Sequence, residues 1–365
     1  MSTYSSRSLF PTPLHARTAE LCATNQWATT SGYTVPLVYS TEQEEIDAIT
    51  SRVGVSDLSA RQCIRLDGPD AATFLSFALT SDVSSLENGQ TTRVSWCDDE
   101  GQVRGDGQLV RYGKAHYELS THVRDFAWFL DGARGFDVRV ASVSGQRAGL
   151  GIRGPLAASL MTAAGFASSQ TAGDGPGLPV PAWRQTQIAL VKDATGDGVE
   201  LWTHADDGTV VWDRLMRVGA ALGVAPVGAA VLEMVRIESG VPHAGVDWQP
   251  VQLARNDQDI CLPRDLGFHA TAPRRFNGSW AVARSATPGP FKLVQVSSAV
   301  PMQTGVLSAK GASVGSVTSA AWSPAKNRGF AICWLKADLC APGTPVQAPG
   351  RTGVVAGQVV RDCFL

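Results

Sequence analysis

The chain has 365 residues, which at about 150 residues per domain predicts two or three domains with a sizeable core. Lys and Arg number 31 against 33 for Asp and Glu, so the formal net charge is −2 and no excess of positive charge favours nucleic-acid binding. Hydrophobic residues make up 44% and charged residues 18%, a composition that excludes a disordered chain and predicts a folded, soluble protein.

Cysteine usage and hydropathy predict the compartment. The seven cysteines are scattered without a CxxC pair, and the six histidines show no HExxH spacing, so neither a disulfide framework nor a metal site is predicted. The first twenty residues lack an apolar core of signal-peptide length, and no stretch approaches about 18 consecutive apolar residues. We therefore expect a cytoplasmic protein without a membrane partner.

Helices and short strands alternate in the first part of the chain. Residues 43–53 space their apolar side chains three and four apart, which predicts an amphipathic helix. Gly68-Pro69-Asp70 is a typical helix start, because proline and an acidic residue suit the first turn. The predicted elements that follow residue 53 are a strand at 63–68, a helix at 71–79, a β-meander over 91–120, a helix at 121–132 and a strand at 136–143.

The second part of the chain repeats this alternation of strands and helices, and its last part consists of β-strands. From residue 291 short strands and turns continue without a helical period, which predicts a terminal β domain with its boundary near 276–290. The predicted elements before it are a strand at 147–154, a helix at 155–165, a loop over 168–183, two strands within 188–204 and a helix at 211–223.

Several short motifs resemble those of one known family. Each motif is weak alone, but together they follow the family order and span nearly the whole chain. The family is that of the glycine-cleavage T-protein (aminomethyltransferase). The matching segments are residues 32–39 (GYTVPLVY) with its GWxxPxxY opening, 55–59 with FDVSH, 66–70 with its GPD helix start, 151–155 with LxxQGP, 236–240 with RLEAG and 315–319 with its GxVTS signature.

The resemblance implies both a fold and a cofactor. It implies an α+β protein whose three domains form a cloverleaf around a channel that holds tetrahydrofolate. The predicted elements fit a discontinuous folate-binding domain of residues 1–50 and 146–275. They also fit a ferredoxin-like domain of residues 51–145 and a C-terminal β-barrel domain of residues 276–365.

The same motifs supply candidate folate-binding residues. In the family the glutamate of a DGxE sequence binds the pterin, so the resemblance implies that Glu200 accepts hydrogen bonds from the pterin N–H groups. Tyr33, Trp96 and Arg236 are the other expected cofactor-binding residues. Trp96, Trp183 and Tyr33 are also candidates for the aromatic wall that a sulfonium or quaternary ammonium substrate needs.

Departures from the family pattern bear on the reaction. The family carries an Asp-Asp pair after a glycine turn, and here Gly105 replaces the first aspartate while Asp106 keeps the second. Leu232 stands where the family has an arginine. These losses argue against glycine cleavage. Residues 96–101 and 236–239 look more like the dimethylsulfoniopropionate demethylase branch, which moves a methyl group to tetrahydrofolate.

We therefore predict a tetrahydrofolate-dependent demethylase acting on a small O-, N- or S-methylated substrate. His243 is expected to be a general acid with a near-neutral pKa for a methoxy substrate, and Asp106 to assist catalysis beside the folate. One alternative is an aminomethyltransferase working with a lipoyl carrier protein. Another is a non-catalytic folate-binding factor, although its KGCYxGQE motif does not occur in the sequence.

Overall fold

The described part of the chain is mixed α+β, with three open sheets and a closed barrel. The computed structural model describes residues 9–166, 179–183, 186–192, 198–253, 261–263, 274–284 and 290–363. No helix in these ranges is long and apolar enough to cross a membrane. The strands are β1 (Phe10–Pro11), β2 (Gln26–Thr30), β3 (Tyr33–Val38), β4 (Val53–Asp57), β5 (Gln62–Asp67), β6 (Thr91–Cys97), β7 (Val103–Gly113), β8 (His116–Thr121), β9 (Arg139–Ser142), β10 (Arg147–Arg153), β11 (Pro179–Trp183), β12 (Thr186–Lys192), β13 (Gly198–His204), β14 (Val224–Pro226), β15 (Phe291–Ser298), β16 (Gly305–Ala309), β17 (Ala312–Ser323), β18 (Arg328–Lys336), β19 (Pro345–Gly350) and β20 (Gly353–Asp362). The helices are α1 (His15–Leu21), α2 (Glu42–Ser51), α3 (Ala71–Ala78), α4 (Phe126–Gly132), α5 (Ala157–Ala164), α6 (Ala205–Gly219), α7 (Ala229–Glu238) and α8 (Ser279–Arg284).

A six-stranded sheet gathers strands from three separate parts of the chain. Its order is β11-β12-β13-β10-β4-β14, and its pairs are antiparallel except for β4 with β14. Helices α5 and α6 pack against it over a core that includes Val55, Leu150, Leu201 and Trp212. A domain boundary at residue 51 assigns β4 to the ferredoxin-like domain, whereas β4 pairs with β10 in this sheet. The domain boundaries themselves stay predictions.

A second, antiparallel sheet carries helices α3 and α4. Its order is β6-β7-β8-β5-β9. Helix α3 buries Ala71, Phe74, Leu75 and Ala78, the three-and-four spacing that places one apolar stripe on the sheet. Trp96 of β6 lies fully buried in the same core. The predicted ferredoxin-like layer of two helices on an antiparallel sheet is confirmed.

The C-terminal part of the chain forms a closed barrel. Its strand order is β15-β18-β17-β16-β19-β20, and the sheet has no free edge because β20 pairs back onto β15. Val294, Val296, Leu307, Val346 and Ala348 point into its core. The predicted terminal β domain and the α+β fold class are confirmed.

Several predicted elements differ from the structure in type or extent. The predicted loop at 168–183 contains strand β11, which pairs with β12 even though it holds two prolines. Residues 168–178 of that loop lie outside the described residues, as does the side chain of Trp183. The predicted helix at 121–132 begins only at Phe126, because β8 continues to Thr121.

Candidate active site

A cavity of about 330 Å³ lies where the two larger open sheets meet helix α7, within the range of about 300–1,000 Å³ that is usual for small-molecule sites. Strands β4, β10 and β13 line it from the six-stranded sheet, and β7 and β8 line it from the five-stranded sheet. Many titratable side chains converging on one cavity are typical of an enzyme active site. Those lining this cavity are Tyr39, Asp57, Arg61, Arg93, Asp106, His122, Arg153, Glu200, Glu233, Arg236 and His243.

Glu200 of β13 is buried at one wall of this cavity. Both of its carboxylate oxygens accept a hydrogen bond from the Arg61 guanidinium, at 2.8 Å each. The Trp202 indole N–H donates to the same carboxylate at 3.0 Å. Arg61 lies in the turn between β4 and β5, so the pair joins the two larger sheets. Glu200, the residue predicted to bind the pterin, therefore lies at the cavity. It is paired there with Arg61, which the sequence did not suggest as a site residue.

Strand β7 presents Asp106 to the cavity and Gly105 away from it. The Asp106 carboxylate accepts a hydrogen bond from Arg93 Nη2 at 3.0 Å. A Cβ atom on Gly105 would lie 2.3 Å from the buried Trp96 ring. Since successive strand residues point to opposite faces, an aspartate at position 105 would not reach the cavity. The argument against aminomethyl transfer that rests on Gly105 is therefore wrong.

Two histidines lie side by side in the cavity wall. His122 directly follows β8, His243 lies in the loop after α7, and their ring centroids are 4.5 Å apart at an interplanar angle of 74°. Burial, then the neighbouring His243 and Arg61, lower the pKa of His122 well below its ordinary value. Burial and Arg236 lower the pKa of His243. The lowered pKa of His243 disfavours the protonated ring that a general acid needs, and the acid role of His243 stays a prediction.

Tyr39 and Asp57 form a further polar group in the cavity wall. The Asp57 carboxylate accepts from Thr12 Oγ1 at 2.6 Å and from the Ser59 backbone N–H at 2.9 Å. Burial raises the pKa of Asp57, and burial together with the Asp57 charge raises the pKa of Tyr39. The buried Tyr39 hydroxyl has no hydrogen-bond partner among the described residues.

Arg236 lines the cavity, but its donors are used by the protein. Its N–H groups donate to both carboxylate oxygens of Glu233, to Asp247 Oδ2 at 2.5 Å, to Ser319 Oγ at 2.7 Å and to the Val241 backbone oxygen at 3.2 Å. All five guanidinium N–H groups therefore have protein acceptors. Because none of these N–H groups is left to bind folate, the prediction of Arg236 as a folate-binding residue is contradicted. Arg236 instead holds α7 against the barrel.

The two predicted aromatic residues whose side chains are described do not line the cavity. The Trp96 ring packs against Phe129 at 5.1 Å, and its N–H donates to Asp125 at 2.8 Å. Tyr33 begins β3 and lies 6.2 Å from the Phe10 ring. The predictions that Trp96 and Tyr33 bind folate or a cationic substrate are wrong, because strand alternation buries one and β3 places the other outside the cavity.

The cavity residues that sequence reasoning missed include Tyr39, Asp57, Arg61, Arg93 and His122. Tyr39 and Asp57 fall inside segments that resemble family motifs, which was a usable signal. Arg61, Arg93 and His122 stand in no recognisable motif. They are identified as cavity residues only once the structure shows which strands and turns face the cavity.

Comparisons with known proteins agree with this architecture. The family model described as "GCVT N-terminal domain" matches residues 13–253, and that of the "Glycine cleavage T-protein C-terminal barrel domain" matches residues 291–365. An aminomethyltransferase of Desulfitobacterium hafniense is 26% identical, covering 91% of this chain and 92% of that protein. One of Streptomyces coelicolor is 29% identical, covering 86% of each chain. The crystal structure of the glycine cleavage system aminomethyltransferase T from Bartonella henselae superposes with a TM-score of 0.84 at 24% identity and covers 98% of both chains.

Together with the fold and the cavity, the family models and the aminomethyltransferase relatives indicate an enzyme of the one-carbon transferase class that uses tetrahydrofolate. The chain belongs to the glycine cleavage T-protein family, since the two family models together match most of its length. Within this family the comparisons support the aminomethyltransferase alternative better than the demethylase that the sequence predicted.

Proposed function

We propose that the chain is an aminomethyltransferase, which moves a one-carbon unit from an aminomethyl group on a lipoyl carrier protein to tetrahydrofolate. The observation that carries the proposal is the Asp106 carboxylate, which lines the cavity although Gly105 replaces its neighbour in the aspartate pair. The aminomethyltransferase relatives, which match over 91% and 86% of this chain, support the same reaction.

The cavity residues fit a reduced folate. Tetrahydrofolate supplies the nitrogens that accept the carbon unit. Its pterin edge carries N–H donors beside a carbonyl acceptor, and the Arg61–Glu200 pair offers a carboxylate beside a guanidinium. Glu200 accepts from the pterin N–H groups while Arg61 keeps the carboxylate oriented. Arg93 holds Asp106 in the cavity, so this carboxylate is positioned before the substrates bind.

A tetrahydrofolate-dependent demethylase is the second candidate, and Leu232 favours it. Leucine lines the cavity where the family pattern has an arginine, and Val35, Val235 and Val241 extend the apolar surface. An apolar wall suits a small methylated molecule. Because Trp96 does not line the cavity, this candidate has less support for a sulfonium or ammonium substrate than for an O-methyl one.

The folate product distinguishes the two candidates. We expect 5,10-methylene-tetrahydrofolate and ammonia when the protein is incubated with tetrahydrofolate and an aminomethyl-lipoyl carrier protein, as measured by mass spectrometry. A panel of O-, N- and S-methylated compounds is the parallel arm. Faster formation of 5-methyl-tetrahydrofolate from any of these compounds would establish the demethylase instead. Folate binding without turnover in either arm would favour a non-catalytic folate-binding factor.

Glu200→Gln is expected to weaken tetrahydrofolate binding by about 1.5–3 kcal/mol, because a charge-assisted hydrogen bond is lost. Isothermal titration calorimetry measures the effect. Glu118→Gln is the matched control: Glu118 is also buried and paired with arginines, Arg65 and Arg147, but it does not line the cavity. Equal folate affinity in the Glu200 variant and the wild type would remove Glu200 from the site.

A further inference from the structure

The His122–His243 pair has no assigned role in the proposed function. The rings come from different elements of the site: His122 follows β8, and His243 lies in the loop that follows α7. The backbone N–H of His243 donates to Asp247 Oδ2 at 2.8 Å, which fixes this loop. The His122 side chain lines the cavity. A bound substrate therefore has access to the His122 ring.

The surroundings disfavour the protonated form of both rings. Burial is the largest cause for each ring, and positive guanidinium groups act in the same direction. The negative charges near His243 only partly oppose these effects. The charged and titratable groups that face the two rings from neighbouring elements are Arg61, Arg236, Glu233, Asp106 and Asp247, in addition to the rings themselves.

Asp106 is already engaged by another side chain of the cavity wall. Its carboxylate accepts a hydrogen bond from Arg93 Nη2 at 3.0 Å. A neutral imidazole accepts and returns protons near neutral pH. The cavity thus holds an arginine-paired carboxylate and, apart from it, a pair of imidazoles that can move protons.

We propose that His122 is a catalytic base of this enzyme and that it works with His243 as a proton-transfer pair. The inference rests on the proposed function. Aminomethyl transfer forms two bonds from carbon to folate nitrogen and breaks one carbon–nitrogen and one carbon–sulfur bond. Two protons leave the folate nitrogens, and the departing ammonia and thiol each gain one. The two imidazoles take up these protons at a ring nitrogen and return them to the leaving groups, so no further reactant is needed.

His122→Asn is expected to lower kcat by about a hundredfold or more, the usual scale for a lost general base. The Kd for tetrahydrofolate should stay within about threefold, since Arg61 and Glu200 remain. His116→Asn is the matched control, because His116 pairs with Asp67 outside the cavity. Added imidazole should restore part of the rate of His122→Ala, since the position is open to the cavity. A merely structural histidine would show no such rescue.

A measurement on the free protein tests the pair without turnover. We expect nuclear magnetic resonance titration to give a pKa for His122 below the ordinary 6.5. In His243→Asn this pKa should rise, because a neighbour that disfavours the charged ring is removed. Turnover of His122→Asn within threefold of wild type would overturn the inference. If the wild type forms methylene-tetrahydrofolate and His122→Asn forms it equally fast, the proposed function stands and only the role of His122 is overturned. If the wild type turns over no donor, the proposed function itself fails.

The pairing of the two histidines has its own test. An unchanged His122 pKa in His243→Asn would show that the two rings do not act as a pair.

Discussion

Replacing Asp247 by alanine is expected to lower the free energy of unfolding by about 3–5 kcal/mol, the cost of breaking a buried ion pair by removing one partner. The fully buried Asp247 carboxylate pairs with Arg236 Nη1 at 2.5 Å. It also accepts from the hydroxyls of Thr318 and Ser319 at 2.6 Å each. Because these hydroxyls lie on barrel strand β17, the variant also loosens the barrel from α7. Urea denaturation followed by tryptophan fluorescence measures the loss, and Trp334 reports locally because its N–H donates to the Asp247 backbone oxygen at 2.7 Å.

Two variants serve as controls for this effect. Asp131→Ala removes a carboxylate whose pairing with Arg134 is exposed at 64% and 83%, and it should change the free energy of unfolding by less than about 0.5 kcal/mol. Ser319→Ala removes only a hydroxyl from the Asp247 cluster and should cost about 1 kcal/mol. If Asp247→Ala cost no more than Asp131→Ala, the cluster would not be what attaches the barrel to α7.

Gly105→Asp is expected to lower the free energy of unfolding by about 3 kcal/mol or more, although it restores the family's aspartate pair in the sequence. An added Cβ meets the Trp96 ring at 2.3 Å, and overpacking of this kind costs about 1–3 kcal/mol. The carboxyl group would also be buried without a partner, which adds to the loss. Catalytic activity should not rise, because the new side chain points away from the cavity. Urea denaturation and the aminomethyl transfer assay measure the two effects.

Gly113→Ala is the matched control on the same strand. A Cβ at Gly113 lies 3.8 Å from the Cβ of His116, an ordinary van der Waals distance, so we expect a change below about 0.5 kcal/mol. Gly105→Ala should fall between the two variants, because it adds volume without charge. A folded Gly105→Asp protein with faster aminomethyl transfer would show that position 105 reaches the cavity after all.

Several elements of the fold followed from local patterns. The Gly68-Pro69-Asp70 start indicated helix α3, which buries Ala71, Phe74, Leu75 and Ala78. The uninterrupted strand and turn pattern after residue 291 indicated the barrel. Strand β11 escaped detection because its prolines are typical of loops, and only its pairing with β12 makes it a strand.

The site was predicted less completely. Glu200 and Asp106 lie in the cavity as expected, because each stands in a motif that resembles the family's. Trp96 and Arg236 stand in motifs too, but the first is buried on the opposite face of its sheet and the second is saturated by Glu233, Asp247 and Ser319. A motif indicates that a residue matters, and it does not indicate whether the residue binds ligand or holds the fold.

The family, the α+β class and the terminal barrel could be inferred from the sequence because they depend on motif order and on periodicities of two and 3.6 residues, which are local properties. The cavity could not, because it is formed where β4, β7, β8, β10, β13 and α7 meet, and these elements are far apart along the chain. The protonation of His122 and His243 depends on the same convergence. Burial and the guanidinium groups of Arg61 and Arg236 lower their pKa values, and no local pattern records which charges will surround a ring after folding.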